Sequence, residues 1–153
     1  MLHFAYGSNM SRALMAARCK GAQALGLATL PGWRFMINAE GFGSIARSPG
    51  DRVHGVLWRL TPRDLAAINA YESVDSGLYL RRRLAVRCDA RRRAALVYIA
   101  SRAGEGRARP GYIHLVVEAA REWQLPDSYI RSLARWSSSR WAGARARDTG
   151  EVG

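Results

Sequence analysis

Lysine is nearly absent from this chain: of 24 basic residues only Lys20 is a lysine, and the rest are arginines. A formal charge of +12 against 12 acidic residues ordinarily points to a nucleic acid or an anionic membrane as partner. An excess carried so one-sidedly by arginine is also what a general arginine bias produces, and such a charge speaks to solubility before function. Cysteine is scarce as well. Cys19 and Cys88 are far apart, form no Cys-x-x-Cys pair and have no histidines at metal-ligand spacing, so neither a metal site nor a disulfide framework is expected. Long apolar runs are missing, since Gly, Arg or Asn interrupts each of them well short of a bilayer span. Met1-Leu2-His3 opens no basic-then-apolar leader. No membrane association is expected, and the setting expected is cytoplasmic and reducing. No internal repeat is present.

What is there suffices for one core. A chain of 153 residues with 48% apolar content suits a single domain, expected over residues 1–136, followed by a basic, flexible tail over 137–153. Leu2 to Tyr6 reads as a strand that meets Gly7-Ser8-Asn9, after which Met10, Leu14 and Met15 recur at helical spacing up to Cys19. Ala24–Leu30 and Trp33–Ala39 flank Pro31-Gly32, which predicts a hairpin turning at that dipeptide. Ile45–Arg47 and Val53–Leu60 are further strands, separated by Pro49-Gly50-Asp51, and Gly55 inside the second marks a bulge or a close backbone approach.

Thr61-Pro62-Arg63-Asp64 is a helix start with a capping residue, a proline in the first turn and a carboxylate able to reach back. Leu78–Cys88 and Ala94–Ala100 are strands, with Arg91-Arg92-Arg93 as a turn between them. Helices are predicted from Tyr112 and from Pro126-Asp127, the periodicity ending near Trp136. Strands interleaved with few helices and mostly short connections make an α+β domain on a small, barrel-like mixed β-sheet with a few flanking helices.

Two segments can carry chemistry. A strand running into Tyr6-Gly7-Ser8-Asn9 and then a helix aims backbone N–H groups at one point, which suits an anion. Gly7 allows a close approach or a positive φ, while Ser8 and Asn9 serve either a ligand or a plain helix cap. Glu72 stands at the end of the amphipathic segment Leu65, Ile68, Tyr71. A carboxylate is electrostatically disfavoured at that end of a helix, and partial burial would raise its pKa toward the range of a proton shuttle. A solvated glutamate paired with Arg81 or Arg82 is the alternative.

Other patterns carry less. Gly41-x-Gly43-x-x-Ala46 has the spacing of a dinucleotide fingerprint, but Arg47-Ser48-Pro49-Gly50 follows where a helix would have to begin. His3, His54 and His114 share no spacing, and no serine sits in a Gly-x-Ser-x-Gly elbow. The runs Arg81–Arg83 and Arg91–Arg93, with Trp136 and Trp141, could hold a nucleic acid, yet no nucleic-acid module accompanies them. Arg81–Arg83 should alternate faces, and no nucleic-acid partner is expected.

Phe4-Ala5-Tyr6-Gly7-Ser8-Asn9-Met10, Gly55-Val56-Leu57-Trp58-Arg59-Leu60, Tyr71-Glu72 and Gly77-x-Tyr79-x-Arg81 occur in that order. So arranged, they resemble the γ-glutamyl cyclotransferase family, the AIG2-like fold. Pro110-Gly111-Tyr112-Ile113 and Leu125-Pro126-x-x-Tyr129 extend the likeness to about residue 135. Ser73 stands where a glycine commonly follows the family's glutamate, and Gly111 replaces a more usual residue. The resemblance implies an enzyme that needs no cofactor and no metal. A γ-glutamyl amino acid or γ-glutamylamine would rest on Tyr6, Gly7, Ser8 and Asn9 with Tyr79 and Tyr112 facing the same pocket. Glu72 would act as the acid/base that closes the substrate to 5-oxoproline and releases the amine. A homodimer stays open, and a non-catalytic basic binding module on the same fold is the alternative function.

Overall fold

In the computed structural model, residues 1–72, 74 and 77–137 are described. Five strands close a mixed β-barrel in the order β1-β3-β2-β4-β5, and four helices flank it. Strand β1 (Leu2–Ala5) leads through a 3₁₀ turn (Ser8–Met10) to α1 (Arg12–Arg18), then β2 (Gln23–Ile37), β3 (Gly43–Arg59) and α2 (Pro62–Tyr71). After them come β4 (Tyr79–Cys88), β5 (Arg91–Ala100), α3 (Tyr112–Glu122) and α4 (Asp127–Ala134). Among the described residues no helix is long and apolar enough to cross a membrane.

Strand β1 closes the barrel. It pairs antiparallel with β3 over Leu2–Arg59 to Ala5–Val56, and parallel with β5 at His3–Leu96. Phe4, Ile37, Val53, Val56, Val86 and Val97 are fully buried, each worth about 1.5–3 kcal/mol in burial of apolar area. Against this core α3 sets Ile113, Val116, Val117 and Ala120, and α4 sets Leu133. Gly55 is the close approach its position suggests, because a Cβ there would lie 2.3 Å from the Ala5 carbonyl oxygen.

The hairpin is displaced from its expected place. Pro31-Gly32 does not reverse the chain; β2 runs through it, and the partner register jumps from Pro31–Arg52 to Trp33–Arg47. Gly32 and Gly50 absorb the irregularity on opposite strands with φ of 85° and 87°. The reversal falls instead at residues 38–42. There Asn38 N–H donates to the Phe42 carbonyl (2.8 Å), Phe42 N–H donates to the Asn38 Oδ1 (3.0 Å), and Gly41 has φ 90°. An asparagine bonding its own turn, with a glycine free to take the left-handed region, outcompetes Pro-Gly as the turning point.

Arg91–Arg93 are also not the turn. They are the first residues of β5, opposite Cys88, Arg87 and Val86, and the reversal is made by Asp89 and Ala90 with φ of 49° and 62°. Arg81, Arg82 and Arg83 are all exposed rather than alternately covered; the ladder of β4 with β5 runs the length of both strands, whereas its register with β2 is at Thr29–Arg87. Trp136 is packed edge-on against Phe35 at 6.3 Å, which removes it as a free stacking platform. Trp141 and the tail beyond Ser137 lie outside the described residues.

Helix α2 begins as its sequence predicts. Asp64 N–H donates to the Thr61 hydroxyl (3.1 Å) and Thr61 N–H to the Asp64 carboxylate (3.0 Å), a reciprocal capping box. Gly21 N–H donates to the same carboxylate at 3.2 Å, tying the start of α2 to the chain that enters β2. Thr61→Ala is expected to cost about 1 kcal/mol, read as a lower urea midpoint with an unchanged slope.

Candidate active site

The loop after β1 is freed for a ligand because another residue caps the helix. Ser11, not Ser8 or Asn9, accepts the Leu14 N–H (3.2 Å) at the start of α1. The side chains of Ser8 and Asn9 therefore turn elsewhere, and both are buried. Trp123 pins the loop from behind by donating its indole N–H to the Met10 carbonyl at 2.7 Å. Gly7 takes φ −115°, so its value is space and not a left-handed backbone: a Cβ there would stand 2.9 Å from the Tyr112 hydroxyl.

Glu72 terminates α2, its N–H donating to the Ile68 carbonyl at 2.9 Å. Its side chain points inward. Asn9 donates its Nδ2–H to the Glu72 Oε1 at 3.3 Å, and among the described residues Glu72 forms no ion pair with Arg81 or Arg82. Burial pushes the carboxyl up to about 7 from 4.5, against the opposing pull of the Arg18 charge.

One cavity of about 270 Å³ joins Glu72 to the loop. Tyr6, Gly7, Ser8, Asn9, Tyr79 and Tyr112, the six binding residues expected from sequence, all line it together with Glu72. Tyr79 donates its hydroxyl to the Gly43 carbonyl (2.8 Å) and receives the Asn38 Nδ2–H (3.0 Å), so the hairpin turn holds it in place. Tyr112 accepts the Gly43 N–H at 3.0 Å. It follows Gly111, whose φ of 80° is a conformation that suits glycine and accounts for the departure at that position. Tyr6 donates its hydroxyl to the Tyr98 carbonyl. Burial raises the phenol pKa of Tyr6, Tyr79 and Tyr112 further above its ordinary value, so these groups stay neutral hydrogen-bonding walls.

Several participants are absent from the sequence-based expectations. Gly43 belongs to the discarded Gly-x-Gly pattern, whose glycines serve the hairpin; a Cβ on Gly43 would meet the Tyr112 hydroxyl at 2.7 Å. Phe42, Tyr71, Leu78 and Tyr98 complete the walls. His3 lines the cavity too. Its Nδ1 lies 3.3 Å from the Leu96 carbonyl, and burial lowers its pKa to about 4, so the ring is neutral at physiological pH. Arg18, at the end of α1, donates from Nη1 to the Asn9 Oδ1 and to the Ser8 Oγ (3.4 Å). Its guanidinium lies 3.7 Å from the centroid of the Tyr71 ring.

A partly buried carboxyl poised near neutrality, facing a loop of small polar residues inside an aromatic pocket, can take a proton from a bound amine and return one to a departing amine.

Comparison with known proteins gives the family. Residues 52–133 match the AIG2-like family. Gamma-glutamylcyclotransferase of Mus musculus is 25% identical over 153 residues, covering 93% of this chain and 81% of the mouse protein. The Homo sapiens protein of the same name is 24% identical, covering 99% and 86%. A solved gamma-glutamyl cyclotransferase superposes with TM-score 0.81 at 26% identity, over 88% of this chain and 86% of that one. YkqA from Bacillus subtilis, at 23% identity and TM-score 0.75, shares the fold over 88% of this chain and 53% of its own.

Proposed function

The chain belongs to the AIG2-like family, and from that premise we propose that it cyclises γ-glutamyl amino acids or γ-glutamylamines to 5-oxoproline, releasing the amine. One observation carries the proposal: Glu72, the only carboxyl group among the described residues that line the cavity, is held up to about 7 and hydrogen-bonded to Asn9 of the loop on which the glutamyl part would rest.

The chemistry needs one proton carrier. Glu72, ionised, takes a proton from the substrate α-ammonium; the freed nitrogen attacks the γ-carbonyl carbon and closes a five-membered ring. The carbon–nitrogen bond to the leaving amine then breaks, that nitrogen takes the proton from Glu72, and the second proton that the ring nitrogen sheds on becoming an amide follows through the same carboxylate, so the amine departs as an ammonium ion. The carboxylate is restored without any other reagent. Because both reacting groups belong to one molecule, folding the substrate into a near-attack shape contributes more than the proton transfer itself. The tyrosine walls and the narrow loop serve that end by excluding extended conformers.

The assay is mass-spectrometric detection of 5-oxoproline from a panel of γ-glutamyl amino acids and γ-glutamylamines. Release is expected, with kcat/KM falling about tenfold per pH unit below a midpoint near 7 as the base form of Glu72 is lost. A panel with no product, or a pH profile flat between 5 and 8, is the result that would remove the proposal.

A further inference from the structure

Although the chain carries 24 basic residues, no arginine or lysine among the described residues lines the cavity. One arginine reaches three residues that do. Arg18 donates to the Asn9 Oδ1 and the Ser8 Oγ and stacks on the Tyr71 ring, and among the described residues it forms no ion pair. A guanidinium has five N–H donors and no acceptor. Whatever faces it in Asn9 must therefore be the carbonyl end.

That requirement sets the polarity of the site. The two ends of an asparagine amide are nearly the same size, and turned around, Asn9 would put its oxygen against the Glu72 carboxylate. With Oδ1 held by Arg18, the amide can only present Nδ2–H to the Glu72 Oε1, as it does at 3.3 Å. The chain of donors thus runs from a cation through an amide to a carboxylate, each bond polarising the next. The flat face of the guanidinium, 3.7 Å from the Tyr71 centroid, ties the same side chain to the residue immediately before Glu72. Loop and helix end are thereby linked through one group.

We propose that Arg18 is a positioning residue for Glu72: it fixes which end of the Asn9 amide meets the carboxylate and holds the loop against the end of α2. The groups facing Glu72 from the other elements are the phenols of Tyr6 at the end of β1, Tyr79 on β4, Tyr98 on β5 and Tyr112 on α3, with neutral His3 in the same cavity. None of those phenols ionises in the working range, burial having raised all four. Arg18 is the charge that opposes the effect of burial on Glu72. A lysine could supply the charge but neither the fork nor the flat face.

Arg18's part in turnover rests on the cyclotransferase reading; its hold on the Glu72 proton does not. The test is a carboxyl-carbon NMR titration of glutamate-labelled full-length protein, with the Glu72 resonance identified by its loss in Glu72→Gln. In Arg18→Met the midpoint is expected to rise by about one pH unit, the lower end of what a neighbouring cation is worth to a carboxylate. Arg18→Lys is expected to restore part of that shift. In 5-oxoproline release the acidic limb of kcat/KM should move by the same increment, with KM changing less than kcat. A Glu72 midpoint unmoved in both folded variants would overturn the proposal. Should Arg18→Met fail to fold, Arg18→Lys decides alone, a rise of about half a unit supporting it and no change overturning it. Should the wild type release no 5-oxoproline, the reaction is lost, while the titration still decides what Arg18 does.

Discussion

Glu72→Gln is expected to lower 5-oxoproline release by about 10²- to 10⁴-fold, the usual worth of a general acid/base, and at the same time to make the protein more stable above neutral pH. Glutamine keeps the shape and can still face Asn9, but it neither accepts the substrate proton nor returns one. Product formation within threefold of wild type would remove Glu72 from the mechanism. The stability gain follows from linkage. The folded carboxyl holds its proton up to about 7, whereas the ordinary value is 4.5. Its contribution is fully present below pH 4.5, is lost as pH rises to about 7, and stays lost above. That difference corresponds to about 3 kcal/mol at full ionisation, and glutamine lacks it. The Tm gap between variant and wild type should therefore be small at pH 4 and open to several degrees by pH 8. A constant gap across that range would mean that Glu72 titrates alike in the folded and unfolded chain.

Gly55→Ala should be the most damaging single methyl group in the barrel wall. The added carbon would lie 2.3 Å from the Ala5 carbonyl oxygen and 2.9 Å from the Phe4 ring. The first obstacle is backbone, which cannot rotate away, and the second is a fully buried side chain. Relief requires β1 and β3 to separate where Phe4–Leu57 and Ala5–Val56 pair. We expect a loss of about 3 kcal/mol, or about 6–12 °C in Tm for a domain of this size. Because β1 leads directly into residues 6–9, the folded fraction of the variant should also bind substrate poorly. An unchanged Tm would show that the two strands have slack which the close approach denies.

The main lines of this fold were legible where local and global signals agree. The capping box at Thr61 and Asp64, the strands expected over Leu78–Cys88 and Ala94–Ala100 and the apolar stripes of α3 and α4 all settle into the elements their patterns describe. The hairpin was misread for a definite reason. Pro31-Gly32 and Pro49-Gly50 are strong turn signals, but they fall within paired strands on either side of one ladder, where each glycine absorbs a bulge. The true turn depends on Asn38 bonding to Phe42, a contact that needs the side chain's orientation and not only its type. At the site, the loop and Glu72 were visible as sequence segments, whereas their meeting across 63 positions depends on barrel closure. Arg18 had no distinguishing mark among so many arginines. Only the geometry separates it, through the polarity it imposes on Asn9.

Barrel closure also orders events in time. Strand β1 finds its last partner at Leu96, and the Tyr6 hydroxyl finds its acceptor 92 residues later, at Tyr98. On a ribosome the loop of residues 6–9 would emerge well before β5, the strand that completes its surroundings. Until β5 has cleared the exit tunnel, β1 can do no more than wait beside β3 with one edge unpaired. Such long-range pairing is slow to form and exposes strand edges meanwhile, so any pause in translation between α2 and β5 would hold the nascent chain in its most adhesive state.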